Sequence, residues 1–117
     1  MSPGEKRSMH LAEKHCVPCL GGVPPVSGEA LEALKAQVPE WEVAGGHHLS
    51  RDFKFPDFRT ALDFVNRIGA IAEEEGHHPD LYLTWGKVGV KTWTHKIDGL
   101  TESDFILAAK IDRLRDS

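Results

Sequence analysis

The sequence predicts an α+β domain, a four-stranded antiparallel sheet with helices packed on one face. Two stretches carry apolar residues at alternating positions on either side of a short turn, which is typical of β-hairpins. Three other stretches carry apolar residues three and four positions apart, which indicates amphipathic helices. Because these stretches follow one another in the order α-β-β-α-β-β-α, they favour hairpins joined into one sheet and covered by helices.

Composition limits the class of protein. The chain has 117 residues, of which 40% are hydrophobic and 27% charged, as expected for one globular domain with a single core. A net charge of −4 argues against binding nucleic acid through phosphate contacts. No apolar run is as long as a membrane span, and residues 1–15 lack the apolar core of a signal peptide. We therefore expect a cytoplasmic protein without a nucleic-acid or membrane partner.

Residues 1–26 are predicted to form an irregular N-terminal arm, since they show no periodicity and contain many turn-forming residues. The folded domain would then cover residues 27–117. Two thiolates and two imidazoles in the arm could bind zinc. Their spacing is loose and includes a single Cys-x-x-Cys pair, so we expect no metal and keep zinc as the alternative. The four side chains are those of His10, His15, Cys16 and Cys19.

Helix boundaries are marked by capping residues. Ser27 is predicted to cap the first helix, which Pro39 ends. Asp57 is predicted to cap a longer second helix that stops at Gly76, and Thr101 to cap the third. The predicted core-facing stripe of the second helix comprises Phe58, Ala61, Leu62, Val65, Ile68, Ile71 and Ala72.

The two hairpins are predicted from their turns. The first is expected to turn at Gly45-Gly46, and the second, which pairs residues 81–85 with 88–95, at Gly86-Lys87. Alternation along the last strand separates two faces. We expect Val88, Val90, Thr92 and Thr94 to face the helices, and Lys91, Trp93 and His95 to face the other way.

Acid–base side chains are concentrated where the second helix ends, at Glu73, His77 and His78. Pro79 favours an extended conformation for His78, and neighbouring side chains of an extended segment point to opposite sides. We therefore expect one of the two imidazoles to face a ligand. Glu73 is four residues before His77, where its carboxylate could raise the basicity of that ring. The alternative is that both histidines interact only with the negative helix end.

The last strand brings further candidates to this corner. If the second hairpin pairs as predicted, His95 lies close to Pro79, where the partner strand starts. Trp85 and Trp93 in the same hairpin, with Tyr82, could offer a flat platform to a planar heterocycle. The alternatives are an exposed histidine at a strand end and tryptophans that pack in the core.

These residues resemble the signature of the pterin-4a-carbinolamine dehydratase family. The signature has an acidic residue, three residues, His-His-Pro, five residues, an aromatic residue, nine residues, a histidine, and a later aspartate. Here these positions are Glu73, His77-His78-Pro79, Trp85, His95 and Asp104, with every spacing matched. The resemblance extends over nearly the whole chain and is more specific than any isolated motif.

The resemblance implies a function and an assembly. The family fold is an antiparallel four-stranded sheet with helices on one side, and its members form dimers or dimers of dimers. Its reaction removes water from 4a-hydroxytetrahydropterin to give quinonoid dihydropterin, without a metal or an organic cofactor. We therefore expect a hydro-lyase that acts in tetrahydrobiopterin recycling as a homodimer or homotetramer.

The resemblance also implies roles for single residues. His77 and His95 are the expected proton-transfer groups, His78 would bind or orient the pterin, and Glu73 would tune His77. Contacts to the substrate are expected from His78, Pro79, Trp85 and Trp93. Two alternatives remain: the same chemistry on a pterin of molybdenum-cofactor metabolism, and a dimerisation or coactivator module like that of the animal relatives.

Overall fold

The computed structural model describes residues 11–17, 21 and 24–116. They fold as helices and hairpins in the predicted order, with a short 3₁₀ turn, His95–Ile97, before the last helix. In chain order the elements are α1 (Gly28–Lys35), β1 (Glu42–Ala44), β2 (His48–Lys54), α2 (Phe58–Glu75), β3 (Asp80–Thr84), β4 (Lys87–Thr92) and α3 (Glu102–Asp116).

The four strands form one antiparallel sheet in the order β1-β2-β4-β3. The central pairing of β2 with β4 sets Leu49 opposite Thr92, and β3 joins the other side of β4 through Asp80 opposite Lys91. The residues predicted to face the helices, Val88, Val90, Thr92 and Thr94, are all buried. The predicted α+β fold is therefore confirmed.

The second hairpin differs from the prediction by one residue at its turn. Thr84 pairs with Lys87, so the chain turns at Trp85-Gly86 and not at Gly86-Lys87. The Phe55 N–H donates to the Gly86 carbonyl at 2.9 Å, and a Cβ on Gly86 would lie 3.0 Å from the Phe55 carbonyl oxygen. This close backbone approach favours glycine at the turn, because a side chain there would crowd the Phe55 carbonyl.

Strand β4 is shorter than the sequence predicted, because it ends at Thr92 rather than at His95. Beyond this end, Thr94 pairs with Gly99 through an isolated bridge. This bridge closes the His95–Ile97 turn, so His95 lies in a tight loop instead of a strand.

Both predicted ends of α2 are confirmed. The Asp57 carboxylate accepts a hydrogen bond from the Thr60 N–H at 2.8 Å, and Gly76 has the left-handed φ of 65°. The predicted stripe is partly wrong, since Phe58 and Leu62 are exposed and Phe64 is buried. At about 100° per residue, Phe58 and Leu62 lie to one side of the row that packs on the sheet. That row consists of Ala61, Phe64, Ile68 and Ala72.

The first helix is also shorter than predicted. Ser27 occupies the N-cap position, but its side chain makes no capping hydrogen bond. The helix ends at Lys35, four residues before Pro39, and a turn over residues 36–40 buries Val38 in the core. Pro39 is therefore not the residue that ends the helix.

The described part of the N-terminal segment is more ordered than the predicted irregular arm. Residues 11–13 are helical, and Leu11 and Ala12 belong to the hydrophobic core. The domain boundary at residue 26 stays a prediction. Within the described residues, no helix combines the length and apolar character that crossing a membrane would need.

Candidate active site

His77 is placed by the left-handed end of α2. Gly76 reverses the chain, and the N–H groups of Gly76 and His77 both donate to the Ala72 carbonyl. The imidazole of His77 then turns inward, where 13% of the side chain is exposed. Its Nε2 lies 2.6 Å from Oδ1 of Asp104.

Asp104 is the centre of the site, and its side chain is fully buried. In addition to His77, it accepts hydrogen bonds from Thr92 Oγ1 at 2.8 Å, Thr94 Oγ1 at 2.9 Å and the Thr101 N–H at 3.0 Å. Four donors satisfy a charge that would otherwise be costly to bury. The carboxylate therefore joins the ends of α2, β4 and α3 at one point.

The sequence placed Asp104 in the family signature but assigned it no role. The sequence did contain a signal for a role of Asp104, because this residue is the third of α3 and follows Thr101 by three positions. In that capping-box position an acidic side chain reaches back to the backbone N–H of the cap residue. Its contact with His77 depends on the tertiary fold and has no local signal.

His78 is bound by the carboxylate of Glu73, which was expected to contact His77. Its Nε2 lies 2.5 Å from Oε2 of Glu73, and 59% of the His78 side chain is exposed. The expected contact between Glu73 and His77 is therefore wrong. The reversal at Gly76 breaks the helical spacing that would have placed His77 over Glu73. The two imidazoles do point to different sides, as the extended conformation predicted.

The carboxylate partners of His77 and His78 indicate which ring nitrogen of each imidazole carries the hydrogen. An ionised carboxylate can only accept hydrogen bonds, so Nε2 of His77 and Nε2 of His78 each carry the hydrogen. In a neutral ring this leaves a lone pair on Nδ1. Both imidazoles are thus oriented as bases through Nδ1, by Asp104 and Glu73 respectively.

His95 is exposed and joins the site through its neighbours. The ring centroid of Trp93 lies 4.5 Å from that of His95, and the hydroxyl of Thr94 binds the Asp104 carboxylate that also holds His77. Among the described residues, the ring contact of His95 is with Trp93 and not with His77. The backbone of the His95 turn is therefore tied to the same anchor as His77.

The sequence did not place His47 and His48 at the site, but both contact Trp93. Their ring centroids lie 5.3 and 5.9 Å from the indole. Their Nδ1 atoms are 3.2 Å apart, and Nε2 of His47 lies 2.7 Å from Oδ1 of Asp98. Burial, with the charges of His47 and Lys91, lowers the pKa of His48. A predicted pairing of β2 with β4 could have revealed these two histidines, since the pairing places the start of β2 beside Trp93.

The second predicted tryptophan lies elsewhere. Trp85 is at the turn of the β3–β4 hairpin, with 69% of its side chain exposed. The five residues of β3 separate it from Pro79, a distance of roughly 20 Å at about 3.3 Å per residue. Within one chain, Trp85 is therefore not brought to the histidines. Pro79 directly precedes β3 and lies beside the end of β4, from which Trp93 follows.

The candidate zinc cluster is described only in part. His10 and Cys19 lie outside the described residues, whereas His15 binds Glu75 and the Cys16 thiol donates to the Ser103 carbonyl. In the portion of the chain that the structure describes, no three His, Cys, Asp or Glu side chains are arranged to hold a metal ion.

Comparison with known proteins identifies the family. The profile described as Pterin 4 alpha carbinolamine dehydratase matches residues 24–114. The chain belongs to this family. The match includes Glu73, the two histidines of the His-His-Pro motif, His95 and Asp104.

Individual members of the pterin-4-alpha-carbinolamine dehydratase family are similar over most of the chain. A Rubrobacter xylanophilus protein provisionally named as such a dehydratase is 64% identical, over 89% of this chain and 97% of its own. One from Alkaliphilus metalliredigens, with the same provisional name, is 53% identical over 89% and 95%. A crystal structure of a "transcriptional coactivator/pterin dehydratase" from Brucella melitensis matches with a TM-score of 0.72 and 30% identity, over 77% and 97%.

Proposed function

We propose that this protein dehydrates 4a-hydroxytetrahydropterin to quinonoid dihydropterin and water, in the cytoplasm and in tetrahydrobiopterin recycling. The family membership supports the substrate class. One observation carries the proposal: the buried Asp104 carboxylate holds His77 by Nε2 and anchors the loop of His95 through Thr94. One carboxylate thereby binds one imidazole of the signature directly and anchors the turn that carries the other.

The reaction needs a base and an acid on one bound pterin. The base removes a ring N–H proton, the electrons of that bond form a C=N bond, and the C4a–O bond breaks. The acid supplies a proton to the departing hydroxyl, which leaves as water. Each such group contributes about 10²–10⁴-fold to the rate. No redox change occurs, so acid–base side chains are sufficient.

Hydrogen bonding suggests how the roles are divided. His77 and His78 each offer Nδ1 as a base, because a carboxylate holds the hydrogen on Nε2. Of these two, His78 is the more exposed ring and the better placed to touch the pterin. We assign the acid to His95, whose exposed ring is supported by the Trp93 indole.

The proposed pterin lies between the helix end and the His95 turn. Trp93 offers it a flat apolar face and Pro79 a rigid edge, and contacts of this kind suit a planar heterocycle. Family resemblance further supports a homodimer or homotetramer as the working form.

A dehydration assay on purified protein tests the proposal. We expect His95→Ala to lower kcat by about 10²-fold, since it removes the acid. Lys96→Ala, an exposed change in the same turn, is the matched control and should retain wild-type turnover. An acid must be protonated to act, so His95→Ala should also remove the fall of kcat/KM at alkaline pH. His77→Ala should slow the reaction as well, and near-wild-type turnover in both histidine variants would contradict the proposal.

A further inference from the structure

The described N-terminal residues 11–17, which we call the N-terminal clamp, bridge two helix ends. One is the end of α2, which leads into His77, and the other is the start of α3, which carries Asp104. The family profile begins at residue 24, so the clamp lies outside the matched region.

The clamp is held on the α2 side by Glu75. The side chain of this last residue of α2 is 2% exposed, yet its neighbour Glu74 is exposed. The Glu75 carboxylate accepts the Cys16 N–H at 2.8 Å and contacts His15 Nδ1 at 2.9 Å and Lys110 Nζ at 3.6 Å. A buried carboxylate with partners on the clamp and on α3 is a strong anchor, because leaving it unpaired would be costly.

The clamp is held on the α3 side by Ser103, which is buried. The Val17 N–H donates to Ser103 Oγ at 3.1 Å, and the Cys16 thiol donates to the Ser103 carbonyl at 3.4 Å. Lys110 of α3 also donates to the Ala12 carbonyl at 2.9 Å. With the ion pair between Lys14 and Glu102 at 2.8 Å, the clamp is fastened to α3 by four contacts.

The two anchors, Glu75 and Ser103, are close in sequence to the two residues of the hydrogen bond between His77 and Asp104. Glu75 precedes His77 by two residues, and Ser103 directly precedes Asp104. Because the clamp binds both anchors, it restrains the relative position of the two helix ends across which His77 meets Asp104. Displacing a reacting group by about 1 Å can lower a rate about 10²-fold, so such restraint has catalytic consequences.

We propose that Glu75 is a positioning residue, which docks the N-terminal clamp across α2 and α3 and thereby holds His77 against Asp104. The catalytic consequence rests on the proposed dehydratase function, whereas the effect on His77 does not. Because the Glu75 side chain is 2% exposed and is bound by the clamp and Lys110, we expect it to act on kcat rather than on KM.

The test compares Glu75→Ala with Glu74→Ala in a Cys19→Ser background, which leaves Cys16 as the only thiol of the chain. Three quantities are measured: the rate of Cys16 modification by a disulfide reagent, kcat and KM for dehydration, and the ¹⁵N chemical shift of His77 Nε2. Burial, together with the charges of Glu75 and Asp104, raises the pKa of Cys16 to about 11. The docked thiol should therefore react slowly at neutral pH.

We expect Glu75→Ala to speed Cys16 modification at least about tenfold and to lower kcat about tenfold at unchanged KM. It should also shift the His77 Nε2 resonance, whereas Glu74→Ala should change none of the three. Ser103→Ala removes the hydrogen bond from the Val17 N–H and keeps the Cys16 contact with the backbone carbonyl. It weakens the other anchor and should act in the same direction, which provides a second variant if Glu75→Ala does not fold.

Faster Cys16 modification with an unchanged kcat and an unchanged His77 resonance would overturn the inference. Equal effects of Glu74→Ala would overturn it too. An inactive wild type would refute the proposed function instead. The His77 resonance would then still report whether the clamp positions that ring, so the two failures are distinguishable.

Discussion

At the scale of single residues, the buried carboxylate of Asp104 organises the site. It accepts hydrogen bonds from one imidazole, two threonine hydroxyls and one backbone N–H, so every donor is oriented by one charge. His78 instead uses the exposed carboxylate of Glu73. Two adjacent histidines therefore have the same hydrogen-bonded nitrogen but very different exposure to solvent.

Asp104→Asn should lower the free energy of unfolding by about 3 kcal/mol and slow the proposed reaction. An amide has one oxygen that accepts hydrogen bonds. Its NH₂ group would therefore face donors that now bind the second carboxylate oxygen, and these donors would lose their acceptor. Urea unfolding and the dehydration assay measure the two effects.

Asp98→Asn is the matched control for this change. The Asp98 side chain is 86% exposed, and asparagine tolerates its left-handed φ of 52°. The expected change in the free energy of unfolding is below about 1 kcal/mol. Equal losses in the two variants would contradict the central role of Asp104.

At the scale of elements, the left-handed end of α2 decides which carboxylate each histidine meets. Asp57 begins the helix and Gly76 ends it, and the reversal at Gly76 sends His77 toward α3 and His78 toward Glu73. The clamp is docked at the same helix end through Glu75. The helix end is therefore both a structural junction and the support of the site.

Gly76→Ala should destabilise the protein by about 1–2 kcal/mol, because an L-residue is strained at φ 65°. It should also lower the proposed activity, since the strain relaxes through the segment that carries His77. Chemical unfolding and kcat are the measurements.

Gly69→Ala in the same helix is the control. No atom of the described residues lies within 4 Å of a Cβ at this position, and alanine favours the helix interior by about 0.5–1 kcal/mol. This variant should be slightly more stable than wild type. A Gly76→Ala variant that is as stable as Gly69→Ala would argue against a strained helix end.

At the scale of the whole molecule, the sheet order β1-β2-β4-β3 places β2 and β4 in the centre, and Trp93 directly follows the end of β4. The Trp93 ring contacts the rings of His95, His47 and His48. To one side of the core-facing row of α2, Phe58 and Leu62 remain exposed. An exposed apolar strip of this kind suits contact with a second copy of the chain.

The proposed homo-oligomer predicts that a double change, Phe58→Glu with Leu62→Glu, reduces the mass found by sedimentation. Charges on the strip would repel and would be costly to bury in an interface. Ala70→Glu, an exposed change elsewhere on α2, should leave the mass unchanged. A wild type that sediments as a single chain, or a double variant that keeps the wild-type mass, would refute this assembly.

Local patterns were sufficient for the elements of the fold. Periodicity and capping residues predicted the element order, the Asp57 and Gly76 ends of α2 and the buried face of β4, because each depends on residues a few positions apart. Local patterns also identified the group of acid–base residues between Glu73 and Pro79 as a candidate site. They were less reliable for the second turn, where the Gly86 carbonyl accepts a hydrogen bond from Phe55, a residue distant in sequence that follows β2.

The contacts of the site were decided only by the tertiary structure. Asp104 meets His77 across 27 positions and Glu75 meets Cys16 across 59, and no local pattern encodes such contacts. The exchange of partners at the helix end, Glu73 with His78 and Asp104 with His77, has the same origin. The left-handed conformation of Gly76 reverses the chain, so the His77 imidazole reaches α3. There it binds the buried carboxylate of Asp104, which needs a hydrogen-bond donor.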